Sequence, residues 1–176
     1  MNAPVKSFSG VAVTQLAPVA RFNLRIAPRD LAVASQAFGL DLPTRIGQGA
    51  RTRDRAAYCI GPDEWLLHAS ETEQAAILAD FDKVRATTPH SLVMISDREV
   101  TIGITGAAAL ELLSTGCPLD LSRMPVGSAK RTVFDHAQVV LIRDAEDAFR
   151  IEVWRSYCPH VRGLLDIALR ELTVGL

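Results

Sequence analysis

GPDEWLLHAS, residues 61–70, decides how this chain folds. Two carboxylates, Asp63 and Glu64, stand beside Trp65, ahead of an apolar run that ends in His68. The stretch is either acid–base equipment or a turn feeding a strand. Its flanks decide for the turn. AAYCI (56–60) and WLLHA (65–69) each read as a strand, and GPDE has turn chemistry: Gly for permissive backbone angles, Pro to preset one angle, Asp to bond nearby amides. The resulting hairpin puts Trp65, Leu67 and Ala69 on one face and Leu66 and His68 on the other. Carboxylates in a solvated turn lack the burial that would raise a pKa toward catalytic use.

Working outward, Phe22, Leu24 and Ile26 alternate with Arg21, Asn23 and Arg25, the pattern of a half-buried strand. Pro28 then opens a helix whose stripe is Leu31, Ala34, Ser35 and Phe38, and Gly39 closes it. Pro43, Gly47 and Gly49 interrupt residues 41–55, where Arg51, Arg53 and Arg55 share one side of an extended segment, as a solvated face or an anion site. After the hairpin, Ser70 and Glu73 form an S-x-x-E capping box for a helix lined by Ile77, Leu78, Phe81 and Val84. SLVMIS (91–96) is apolar on both faces, as a central strand would be.

The second half repeats this order. VTIGIT (100–105) is a strand, and Gly106 opens a short helix that stops at Gly116. AKRTVFD and QVVLIRD follow, joined at His136–Ala137, and then AFRIEVW, with Phe149, Ile151 and Val153 alternating with polar positions. Ser156 caps a last helix with the stripe Tyr157, Val161, Leu164, Leu165, Ala168 and Leu172. Strand–helix–hairpin–helix therefore occurs twice. The expected fold is α+β, with an antiparallel-rich sheet, helices on one side, and two lobes at about 20–95 and 96–176. Residues 1–19, with Pro4 and Pro18, read as a weakly ordered arm.

Composition narrows the function. In 176 residues the formal net charge is −1, with 10 Lys+Arg against 9 Asp+Glu in residues 1–88 and 9 against 11 beyond. That balance offers no basic surface for nucleic acid or an anionic membrane. No uncharged apolar run approaches the ~18–20 residues of a membrane helix. Cys59, Cys117 and Cys158 are odd in number and far apart, which suits reduced thiols in a cytoplasm.

The chemistry-bearing residues are scattered. His68, His90, His136 and His160 lack metal-site spacing. Cys158 and His160 could meet as a nucleophile pair, or be a packing cysteine beside a solvent-facing histidine. GITGAAA joins a strand to a helix, as an anion site or a tight turn. Trp154 falls on the polar phase of its strand with Arg150 and Glu152, so it needs cover from a helix of its own chain or from a partner. No residue is assigned as catalytic, cofactor-binding or metal-ligating. Read from the residues alone, the function is unknown, with a bias against independent catalysis.

GPDEWLL (61–67), SDREVTIGITGAAALELLSTGCPLDL (96–121), VGSAKRT (126–132), VVLIR (139–143) and AFRIEVWRSY (148–157) together resemble the gamma subunit of heterotetrameric sarcosine oxidase. That subunit is similar in fold to the folate-binding aminomethyltransferases. The resemblance covers most of residues 55–160, and the element order extends it over about 20–172. It implies a non-catalytic chain in a complex with alpha, beta and delta subunits. That complex oxidises sarcosine to glycine, forms hydrogen peroxide and passes the one-carbon unit to tetrahydrofolate. FAD, FMN, NAD and tetrahydrofolate would sit on the large subunits and zinc on delta, with no cofactor in this chain. Trp65, Trp154 and Tyr157 are the expected partner contacts. The competing expectations are an independent folate-binding transferase or one-carbon carrier, and a generic adaptor.

Overall fold

A computed structural model describes residues 6–8 and 10–174 of the chain. The chain divides into two compact units, one of residues 18–96, the other of the residues before 18 and from 97 onward. Strands β1 (Lys6–Phe8) and β2 (Val11–Gln15) belong to the second unit.

The first unit holds β3 (Ala20–Ile26), α1 (Leu31–Phe38), β4 (Gly49–Arg51), β5 (Arg55–Gly61), β6 (Glu64–Ala69), α2 (Gln74–Val84) and β7 (His90–Met94). Its antiparallel sheet runs β4-β5-β6-β3-β7. The opening hairpin is present, with Gly61 opposite Glu64 and Cys59 opposite Trp65. Period-2 alternation sends Phe22, Leu24, Ala57, Trp65 and Leu67 into one core, where they meet Leu31, Ala34 and Phe38 of α1 and Ile77 and Phe81 of α2. Gly39 ends α1 at φ 68°, a left-handed conformation that costs a glycine little, and its N–H bonds Ser35 O at 2.8 Å.

Four local expectations shift in this unit. Pro28 starts a separate 3-10 turn, Pro28–Asp30, rather than α1 itself. Ser70 caps a 3-10 turn, while Glu73 leaves the capping box to accept from Arg55 Nη2 at 2.6 Å. Arg55 is therefore no member of a solvated arginine face: half-buried, it also donates to Phe38 O. β7 is an edge strand rather than a central one, because its second apolar face stays exposed at Val93.

The second unit holds β8 (Glu99–Thr105), α3 (Ala109–Ser114), β9 (Ala129–Phe134), β10 (Ala137–Ala145), β11 (Ala148–Trp154) and α4 (Cys158–Val174). Its sheet runs β1-β2-β8-β11-β10-β9, antiparallel throughout. Ile102, Ile104, Val139, Leu141, Phe149, Ile151 and Val153 face Leu112 and Leu113 of α3 and Val161, Leu165 and Leu169 of α4. Asp135 and His136 make the two-residue turn between β9 and β10, one position earlier than the sequence suggests, with Asp135 at φ 54°.

The two sheets share an order. Reading β4-β5-β6-β3-β7 against β9-β10-β11-β8-β2 matches a three-stranded meander, the unit's first long strand and one further strand. The repeated motif is thus strand–helix–meander–helix, a hairpin extended by one strand. The match also explains the expected arm. β2 fills beside β8 the place that β7 fills beside β3, pairing Ala12 with Thr105 and Gln15 with Ile102. Within residues 1–19 the expected arm thus contains two strands, β1 and β2. Residues 1–5 and 9 lie outside the described residues.

Candidate functional site

The expected contact residues part company. Trp65 is 1% exposed, a core residue whose indole N–H donates to Pro43 O at 2.8 Å. It cannot serve as a partner contact, since the strand β6 turns its ring toward α1 and α2. A buried indole needs one acceptor, and the Pro43 carbonyl in the segment after α1 supplies it.

Trp154 and Tyr157 are each 44% exposed, with ring centroids 6.3 Å apart. Trp154 ends β11 opposite Glu99, on the face away from the helices, so α4 does not cover it. A tight turn follows, with Tyr157 N–H bonded to Trp154 O at 2.9 Å, and Tyr157 O then accepts from Val161 in the first turn of α4. Tyr157 therefore stands outside the buried stripe of α4. The Arg98 guanidinium lies 5.3 Å from the Trp154 ring centroid and donates to Glu99 at 3.0 Å. Arg155 fastens the turn to the start of β8, its N–H to Arg98 O at 2.7 Å and its Nε to Asp97 O at 2.9 Å. The result is a pre-set aromatic and cationic platform on rigid backbone. Tyr, Trp and Arg are the residue types that dominate binding energy at protein interfaces.

A groove of about 470 Å³ opens elsewhere on the same unit, between residues 114–118, the β9–β10 turn and α4. Val133, Leu164, Ile167 and Phe134 give it apolar walls, and Asp135 and Glu171 are the charged residues that line it. Gly116 is built into it, because a Cβ there would come within 2.8 Å of the Phe134 ring. This places the GCP of GCPLDL in a groove wall.

Asp135 accepts from His160 Nε2 at 2.8 Å, tying the β9–β10 turn to the first turn of α4. The His160 bond, with a second imidazole at His136, holds the Asp135 carboxyl below its ordinary range. A lowered folded pKa means stability present above the unfolded carboxylate pKa and lost as pH falls through the folded value. The expected outcome is a melting temperature that declines below about pH 4. Asp135→Asn, which tolerates the left-handed backbone, removes this part of the decline. Thermal melts of both proteins between pH 3 and 7 check it.

His160 is thus turned to Asp135, and the Cys158 thiol is pushed up by burial, against the lowering pull of Arg162 and Arg155. A raised thiol holds little thiolate, so the pair is not arranged as an activated nucleophile. Asp63 bonds Arg25 at 3.0 Å at the surface. Glu64 is not in the solvated turn but buried on β6, accepting from Asn23 at 2.7 Å. Gly106 N–H in GITGAAA is spent on Asp147 O beside β11, and Gly106 O accepts from Ala109 at 2.9 Å in the tight turn that follows. Among the described residues no three His, Cys, Asp or Glu side chains gather as a metal site. No helix among them is long and apolar enough to cross a membrane.

The duplicated architecture defines the class. The glycine cleavage aminomethyltransferase T of Bartonella henselae superposes with a TM-score of 0.70 at 15% identity, over 90% of this chain and 46% of that one. The fold is aminomethyltransferase-like. Within that class, the model of the sarcosine oxidase gamma subunit family matches residues 25–169, and the chain belongs to that family. The gamma subunit of sarcosine oxidase from Corynebacterium sp. strain P-1 is 27% identical over 162 residues, 89% of this chain and 79% of its own. A chain of the heterotetrameric sarcosine oxidase of Corynebacterium sp. U-96, solved with pyrrole 2-carboxylate, superposes with a TM-score of 0.85 at 27% identity, over 93% and 85%.

Proposed function

We propose that this chain works as the gamma subunit of a cytoplasmic, four-chain sarcosine oxidase, docked on the alpha subunit beside beta and delta. The complex oxidatively demethylates sarcosine to glycine, forms hydrogen peroxide and delivers the one-carbon unit to tetrahydrofolate. FAD, FMN, NAD and tetrahydrofolate are held by the large subunits and zinc by delta, while this chain contributes assembly and enclosure. Family membership over residues 25–169 supports the reading. The observation that carries the docking role is the exposed Trp154–Tyr157 pair with Arg98 over the indole. Three unpaired cysteines agree with a reducing compartment.

The test uses the complex purified through a tag on this chain. Trp154→Ala is expected to weaken its retention of the large partner about 30-fold, the loss of one aromatic anchor, with an unchanged melt. Full retention by the variant removes Trp154 from the contact. Saturable binding of a reduced folate by the isolated chain, with no larger chain retained, replaces the reading with that of an independent folate-binding protein.

A further inference from the structure

We infer that β7 of the first unit is a docking edge that receives an antiparallel strand from another subunit of the complex. The inference rests on the subunit reading above.

Hydrogen-bond direction decides which backbone groups of β7 face away from the sheet. Ile95 N–H bonds Arg21 O at 2.9 Å, and the register pairs Asn23 with Val93 and Arg25 with Ser91. On the other side of β3, Ile26 N–H bonds Asp63 O. In an antiparallel pair, mutually bonded residues alternate with unbonded ones. Ser91, Val93 and Ile95 therefore point their backbone groups at β3. The N–H and C=O groups of Leu92 and Met94 point the other way, off the sheet, where no described strand pairs with them.

Edges are normally guarded by short length, charge or proline. β4 is three residues ending in Arg51, β1 is three residues, and β9 carries exposed Lys130 and Arg131. β7 is His-Ser-Leu-Val-Met, five residues without a charge or a proline, and Val93 and Met94 are 49% and 43% exposed. It is unguarded.

The other half of the chain shows what fits there. β2 occupies beside β8 the place that β7 occupies beside β3, and β1 lies antiparallel along the outer edge of β2. The position beyond β7 has no such strand among the described residues. Its occupant is a strand with apolar residues facing both ways, opposite Leu92 and Met94 on the helix side and Val93 on the other. A second copy is a poor occupant. Five paired residues span only ~17 Å, too short a seam to bury by itself the ~1,200 Å² of a stable interface. A segment of a chain already held by other contacts suits the edge.

The experiment is residue-resolved hydrogen exchange on the free chain and on the purified complex. In the complex the amides of Leu92 and Met94 are expected to exchange about 100-fold more slowly, while Ser91 and Val93, already bonded to β3, change little. Val93→Lys is expected to lower retention of the partner at least about 10-fold, the effect of a charge at an apolar contact, with the free chain's melt unchanged. A complex that forms with Leu92 and Met94 unprotected overturns the edge and leaves the subunit reading standing. A wild-type chain that retains no larger partner overturns both. Protection that appears in the free chain as its mass doubles assigns the edge to a second copy and overturns the inference.

Discussion

Gly106→Ala lowers the melting temperature by roughly 6–12 °C, the shift that about 3 kcal/mol produces in a chain of this size. Gly106 sits at φ 123°, where a side chain is strained, and a Cβ there would run into the carbonyl of Gly10. That carbonyl also accepts from Ala108 at 3.4 Å, just before β2. To make room, the start of β2 must leave β8. The expected signature is faster amide exchange over Val11–Gln15 together with the loss of stability. Gly127→Ala separates the two causes. Gly127 has φ 79° and nothing within 4 Å of the position of a Cβ, so it carries only the backbone term, about 1 kcal/mol. Equal losses in the two variants would show that the approach of Gly10 is not tight.

Arg143→Met is expected to cost a similar amount, about 3 kcal/mol, because it strips donors from buried carbonyls while keeping most of the volume. Arg143 is 5% exposed in the middle of the second unit. Its guanidinium donates to Met124 O at 2.7 Å, Glu146 O at 2.9 Å, Ala145 O at 3.2 Å and Leu121 O at 3.3 Å. Its carbon lies 5.2 Å from the Phe149 ring centroid. One side chain thereby fixes the irregular segment after α3 and the β10–β11 turn. A surface carboxylate, Glu146, closes the set at 3.3 Å but contributes little, being 90% exposed. Urea titration measures the loss. A variant as stable as wild type would mean that water replaces the lost donors.

The difference between the two aromatic contacts shows where sequence reasoning ends. GPDE has turn chemistry, and Asp63 is indeed at the surface. β6 begins at Glu64, one residue before WLLHA, and alternation sets Trp65 on one face with Leu67 and Ala69 without saying that α1 and α2 cover that face. Trp154 falls on the polar phase of β11, and alternation alone cannot say whether that phase is covered. Its neighbour Glu152 on the same phase is buried with Thr101 donating at 2.9 Å, while Trp154, two residues on at the strand's end, is open. Period-2 strands, the stripe of α1 and its closing glycine were legible because their signals lie within one element. β2 was not: its neighbour in sequence is the three-residue β1, and the strand that ties it into the sheet is some ninety positions away. The groove was half legible, since GCPLDL ends a stretch that carries the family resemblance while the other wall, α4, lies far along the chain.

That distant pairing sets an order for synthesis. Residues 18–96 are contiguous and can close around their own nucleus as they leave the ribosome. VAVTQ emerges earlier still, and its pairing with β8 must wait until Glu99–Thr105 has been translated. A strand made before the first unit is thus locked into its sheet only after that unit is complete. A premature stop near position 97 would release a finished first unit with β2 still short of its place beside β8.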